Sequence, residues 1–139
     1  MAIQSLNPYL NFNGDAARAV ELYQRVLGAK LEGIKTFAEL PDVKPENKDR
    51  VLHAHLTLGK QGVLMISDTM PGMPFTQGDN VYLTLHFDDA KEMEEKFPAL
   101  AAGGRVKMPL HDAFWGARFG MLTDALGVHW MFSCELKSA

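Results

Sequence analysis

The sequence of 139 residues contains a single cysteine, Cys134. A lone thiol can neither close an intramolecular disulfide nor build a cysteine zinc site, which points to the reducing cytoplasm. Basic charge is also scarce: 14 Lys and Arg stand against 17 Asp and Glu, a formal net charge of -3. Without a basic excess to drive phosphate-backbone binding, no nucleic-acid partner is expected. No apolar run approaches the roughly 20 residues of a membrane helix, so no membrane partner is expected either. Residues 1–13 lack a charged stretch followed by a long apolar one, and no signal peptide is expected. G-x-S-x-G, a Ser-His-Asp signature and a glycine-rich phosphate loop are all missing, which removes support for hydrolase and nucleotide-binding readings. Gly103-Gly104 follows a helical stretch instead of preceding one, the wrong context for cradling phosphate.

What remains is 47% hydrophobic and 22% charged, the composition of one soluble globular domain with a real core. Pro8 to Phe12 alternates and meets Asn13-Gly14, a strand ending in a turn. Asp15 is a plausible N-cap for a helix carrying Ala16, Ala19, Val20, Tyr23 and Leu27 at helical spacing, stopped by Gly28. Ala29 to Glu39 reads as extended, and the charged, proline-bearing stretch 41–50 as loop. Val51 to Leu58 and Val63 to Ser67 form a hairpin around Gly59-Lys60-Gln61-Gly62. Residues 68–79 read as a linker or mobile cover. Val81 to Phe87 is a strand, with Asp88 or Asp89 capping a second helix, Ala90 to Ala102. Pro98 should kink that helix or end it early. Arg105 to Met108, Arg118 to Thr123 and Val128 to Glu135 complete the strands.

This order is strand, helix, three strands, twice over, and the text repeats with it. Tyr9-Leu10 matches Tyr82-Leu83, Asp15-Ala16 matches Asp89-Ala90, and Leu56-Thr57 matches Leu122-Thr123. Gly62-Val63 matches Gly127-Val128, and Met65-x-Ser67 matches Met131-x-Ser133. The chain thus reads as a duplicated βαβββ module, residues 1–76 and 77–139 of a single domain.

Tyr23-Gln24-Arg25-Val26-Leu27-Gly28 resembles the end of the first helix in the vicinal oxygen chelate superfamily, which includes glyoxalase I, extradiol dioxygenases and bleomycin-resistance proteins. Asp124-Ala125-Leu126-Gly127 is similar to that superfamily's turn into its last strand, with Ala125 where proline is usual. Pro8-Tyr9-Leu10-x-Phe12-x-Gly14, Met65-Ile66-Ser67-Asp68 and Phe114-Trp115-Gly116 resemble its PhnB-like branch. The resemblance implies an α+β, glyoxalase-like fold: two βαβββ modules curl mixed sheets into a cup, with the helices outside. It also implies a homodimer, since relatives usually dimerise. Some members of the branch carry a methyltransferase name, but this chain has no glycine-rich strand-to-helix turn followed by an acidic residue to hold a methyl donor.

Many relatives hold a divalent metal through His or Glu on the first and last strand of each module. Here those positions fall on Pro8 or Tyr9, Met65, Tyr82 and Met131, a poor set for Mg²⁺, Mn²⁺ or Zn²⁺. No cofactor is therefore expected. The alternative is an unconventional divalent metal site. His53 and His55 share one strand face and Leu52, Ala54, Leu56 and Leu58 the other, so two histidines could join Asp68 or Glu135.

Asp68, at the end of its strand, could be a general base at the edge of the cup or a turn cap. His86 and His55 are the proton-transfer candidates, with Asp68, if there is catalysis. Cys134 shares parity with Trp130 and Phe132 and reads as an inert buried thiol. Phe114 and Trp115 could wall a ligand pocket, plug the core or contact a second subunit. The preferred reading is a PhnB-like protein binding a small organic molecule through Tyr82, Met65, Phe114, Trp115, Phe119 and Met131, without a metal. The alternative is a lyase, isomerase or oxygenase-type enzyme of the same superfamily, and whether any reaction is catalysed stays open.

Overall fold

The apolar periodicities convert directly into elements, and the computed structural model describes residues 2–137 of the chain. The elements are β1 (Tyr9–Phe12), α1 (Ala16–Leu27), β2 (Lys30–Thr36), β3 (Val51–Leu58), β4 (Gly62–Asp68), β5 (Leu83–Phe87), α2 (Ala90–Ala101), β6 (Arg105–Asp112), β7 (Ala117–Thr123) and β8 (His129–Glu135). They fall into two compact units, Met1–Thr76 and Gln77–Ala139. Each unit holds one four-stranded sheet, ordered β1-β4-β3-β2 in the first and β5-β8-β7-β6 in the second. In both, the first strand runs parallel to the last and the remaining pairs are antiparallel. The architecture is α+β, a glyoxalase-like fold.

In the first unit, Ala16, Ala19, Val20, Tyr23, Val26 and Leu27 give α1 one buried stripe at a period of 3.6. With Ala54, Leu56, Leu64, Ile66 and Phe12 they form the core. Each fully buried Val, Leu or Ile side chain contributes roughly 1.5–3 kcal/mol. Gly28 ends α1 at φ 71°, and the N–H groups of Gly28 and Ala29 return to the carbonyls of Gln24 and Tyr23.

The start of α1 differs from the sequence expectation. Asp15 stands at the N-cap position, but its side chain makes no capping bond. The carboxylate that serves this end is Asp68, 6% exposed, at the tip of β4. Its Oδ1 accepts from the N–H of Gly14 at 2.7 Å and of Ala16 at 3.1 Å, and its Oδ2 from the N–H of Val51 at 2.8 Å. One side chain thus ties the β1–α1 turn, the start of β3 and the end of β4. Gly14, at φ 104°, lets the turn approach, and an added Cβ would sit 3.2 Å from the Arg50 guanidinium.

The second unit repeats the topology with different chemistry. Met93, Phe97, Leu100 and Ala101 bury against β5, β7 and β8. The Phe97 ring stands edge-on to Phe132 at 5.1 Å, and Phe132 stacks on Phe87 at 5.2 Å. Gly120 makes room for this, since a Cβ there would lie 3.0 Å from the Phe97 ring and 2.9 Å from Leu110. Asp89 caps α2 by accepting from the Lys91 N–H at 3.0 Å. Cys134 is buried, as its parity with Trp130 and Phe132 requires.

Four further expectations need correction. Pro98 does not end the helix early: it runs on to Ala101 because the flanking Phe97, Leu100 and Ala101 are buried, which offsets one missing backbone bond. Strand β6 continues past Met108 to Asp112; as an edge strand it is exposed almost throughout, so no hydrophobic alternation marked its end. Strand β2 ends at Thr36, where the chain makes a 3₁₀ turn that buries Phe37. The textual match of Tyr9 to Tyr82 also shifts: Tyr9 pairs with Met65, whereas Met131 pairs with Thr84, two residues on.

Two expected outcomes follow. Asp68→Ala strands three backbone donors, and its urea midpoint should report a loss of about 3 kcal/mol or more, against under half that for Asp15→Ala. Gly120→Val should cost about 2 kcal/mol by overpacking Phe97, and an unchanged midpoint would contradict the packing described.

Candidate functional site

A strand shows alternate residues on opposite faces, so each sheet has a face away from its helix. In the first unit this face is polar. The Tyr9 hydroxyl and His53 Nδ1 share a hydrogen bond of 2.9 Å, with ring centroids 5.7 Å apart. Ser67 Oγ donates to Asn11 Oδ1 at 2.8 Å. Register sets Tyr9, Met65, His55 and Gly33 side by side across the four strands.

Asp68 lies on the opposite face, with Leu64 and Ile66, where its oxygens hold the backbone donors described above. It does not share a surface with His53 or His55. A two-histidine, one-carboxylate metal site built on Asp68 is therefore not available, and the carboxylate is occupied as a cap instead of a base. The positions that resemblance marks for metal ligands fit a divalent cation no better. Tyr9 is bonded to His53, Met65 and Met131 offer thioethers, and Thr84, which pairs with Met131, offers only a hydroxyl. Among the described residues, no three or more His, Cys, Asp or Glu side chains are grouped to hold a metal ion.

The second unit has a different face. Register arranges it in rows across the strands: Arg105, Thr123 and His129; then Met108, Met121, Met131 and Thr84; then His111, Phe119, Ser133 and His86. In β6 the register slips between Val106 and Met108, so Lys107 and Met108 together oppose Met121. Alternation from Arg105 already puts Lys107 on this face, and the β-bulge adds Met108 beside it. Its ammonium donates to the Tyr82 hydroxyl and lies 5.0 Å from the Tyr82 ring centre. Tyr82 precedes β5, and β5 and β6 are opposite edges of the sheet. Across a flat sheet they would stand about 14 Å apart; the contact, reached by two long side chains, accords with the curled sheet of a glyoxalase-like fold.

Aromatic rings close one end of the concavity. Trp115 packs edge-on to Phe114 at 5.1 Å and to Phe119 at 5.5 Å, and His111 meets Phe119 at 6.4 Å. Phe119 is half-buried, but Phe114 is 97% and Trp115 56% exposed, so the two loop rings do not plug this unit's core. At the other end, a shallow depression of about 420 Å³ is lined by Gln77, Gly78, Asp79, Thr123, Gly127 and His129. His129 Nε2 meets the Gly78 carbonyl at 2.9 Å and must donate there; in the neutral ring Nδ1 then accepts from the Thr123 hydroxyl at 2.9 Å. This leaves His129 a positioning group. His86 is exposed on edge strand β5 and makes no side-chain hydrogen bond among the described residues. His55 and Met65 belong to the first unit, and the remaining expected ligand-binding residues to the second.

Behind the face, Asp124 is 2% exposed and accepts from the N–H groups of Leu126 and Val128 and from the Trp130 indole. Arg118 bonds Asp112 at 2.8 Å and also Glu94 of α2. The Arg118 hydrogen bond holds the Asp112 carboxyl below the usual carboxylate range, against the opposing effect of desolvation. Arg105 and Lys107 escaped the sequence reading. An R-x-K pair in an exposed strand looks like ordinary surface charge, and no residue type signals a bulge.

Comparison with known proteins gives this geometry a family. The model of the Glyoxalase/Bleomycin resistance protein/Dioxygenase superfamily matches residues 5–132. The chain is 31% identical to protein YjdN of Escherichia coli K12, over 92% of this chain and 93% of that protein. Among solved structures, protein PA1353 from Pseudomonas aeruginosa is similar at 41% identity and a TM-score of 0.85, covering 96% of this chain and 100% of that one. A Bacillus cereus PhnB protein, described as a candidate 3-demethylubiquinone-9 3-methyltransferase, is similar at 27% identity and a TM-score of 0.75, covering 94% of this chain and 99% of its own. The chain belongs to the Glyoxalase/Bleomycin resistance protein/Dioxygenase superfamily, on its PhnB-like side.

Proposed function

We propose that the protein binds a small, partly apolar organic molecule on the concave face of its second unit, without a resident metal. One observation carries this reading. The face keeps thioethers and aromatic rings accessible to solvent around a few fixed polar groups, where a protein interior would have covered them. Met121 and Met131 supply an adaptable floor, Phe119 and Trp115 a wall, and Tyr82 a hydrogen-bonding group. The methyltransferase description of the Bacillus cereus relative is not carried over, because no strand-to-helix turn of this chain is built for a methyl donor.

The proposal includes a cytoplasmic homodimer, supported by the lone buried Cys134 and by the family; sedimentation showing only monomer at micromolar concentration would remove the dimer. A second reading rests on the Tyr9–His53 hydrogen bond, an acid–base pair of the sort a lyase or isomerase uses. Under it, replacing His53 by glutamine abolishes turnover of a bound compound while most of its affinity survives.

Binding has a built-in reporter. Of the two tryptophans, Trp130 is 1% exposed and Trp115 56%, so a ligand on the face changes the emission of Trp115. Titration with a set of mono- and bicyclic aromatic fragments should give saturable emission changes, unaltered by excess EDTA. Calorimetry on Trp115→Ala should show affinity lower by roughly 5–30-fold, the loss of about 1–2 kcal/mol of ring contact. If no fragment produces a saturable change, the binding reading falls.

A further inference from the structure

The distribution of charge along the concave face goes further than its apolar character. Its three rows differ in kind. One end carries Arg105 with Thr123 and His129, the middle is thioether with Lys107 at its β6 edge, and the far end is aromatic. Lys107 makes its hydrogen bond to a neutral phenol, Tyr82, and among the described residues it has no carboxylate within ion-pair distance. Arg105 has none either. Asp79 lines the depression beside His129 and pairs with neither cation.

Two other cations of this unit do have acidic partners. Arg118 is matched by two carboxylates, and Lys96 by Glu92. Lys107 faces the thioether row with the Tyr82 hydroxyl beside it and no counter-charge. A cation placed so, between a hydroxyl and an accessible apolar floor, is an anion-binding position.

Resting on the reading that this face binds a ligand, we propose that the ligand is an amphipathic organic anion. A carboxylate or comparable acidic group is held by Lys107 with the Tyr82 hydroxyl beside it. A flat apolar body extends from there over Met121 and Met131 toward Phe119 and Trp115. Alternate residues of a strand are about 6.6–6.8 Å apart, so the Phe119 row lies about 7 Å beyond the Met121 row that Lys107 borders. That length suits one fused bicyclic ring system, or a single ring on a short chain. The Lys107 stem and the Tyr82 ring contribute apolar flanks to the charged end.

The test compares naphthoate with naphthamide, matched in shape and differing in charge, using Trp115 emission with calorimetry as a second readout. Naphthoate should bind at least tenfold more tightly, and raising the salt concentration should narrow the gap. In Lys107→Met, which keeps the apolar stem, naphthoate should fall to within about threefold of naphthamide. Lys107 is exposed, and an unchanged urea midpoint for the variant will show that folding is not the cause. Equal binding of the two compounds by the unaltered protein would overturn the anion assignment and leave the binding face standing. A naphthoate preference that survives in Lys107→Met would overturn the role of Lys107. Absence of saturable binding by either compound at millimolar concentration would overturn both this inference and the reading beneath it.

Discussion

Removing a carboxylate from water is costly, and Asp68 meets that cost with three backbone N–H groups drawn from separate parts of the first unit. Much of that unit's geometry depends on this exchange. β1 is four residues long and pairs in parallel with a strand more than fifty positions later, a contact with a large closure cost and few bonds to offset it. Fixing the turn after β1, the beginning of β3 and the end of β4 on one side chain sets the register of all three. That register then decides which residues face α1 and which face away. The second unit solves the same problem elsewhere: Asp124 closes the β7–β8 turn and anchors Trp130. The repeat preserved topology and relocated the polar tie.

The two faces opposite the helices show how far the repeats have diverged. In the first unit the face is a set of paired hydrogen-bonding groups, Tyr9 with His53 and Asn11 with Ser67. In the second, the corresponding rows are thioethers and rings bordered by cations. The metal-binding positions of the superfamily carry none of its usual ligand types in either unit. What distinguishes the units chemically lies in side chains that the fold itself does not require.

The fold was legible because its signals are periodic and local. Val20, Tyr23 and Leu27 mark a helix face, Ala54 and Leu56 mark the buried side of β3, and Gly28 marks a stop. The parity argument likewise put His53 and His55 on the accessible side. Asp68 was not readable in the same way. Its partners Gly14, Ala16 and Val51 are contributed as backbone, which carries no residue type to recognise, so a base and a cap looked alike. Pro98 misled for a related reason: the burial of Phe97 and Leu100 outweighs a local preference. The edge strand β6 was cut short at Met108 because exposed strands lose the alternation that marks buried ones, and Arg105 and Lys107 within it looked like ordinary surface charge.

The bulge in β6 has a consequence for how such a site changes over time. Because it places two residues opposite one, the loss of a single residue there would remove that slip, leaving the second one between Met108 and His111, without disturbing the core strands β7 and β8. The residue presented to Met121 would change from a lysine with its neighbour to whatever the shortened strand brings round. Ligand preference would then be rewritten by a one-residue change of length at an exposed edge, where folding tolerates it most. A family that keeps its scaffold and varies its substrates has, in this strand, a place where register and chemistry are the same variable.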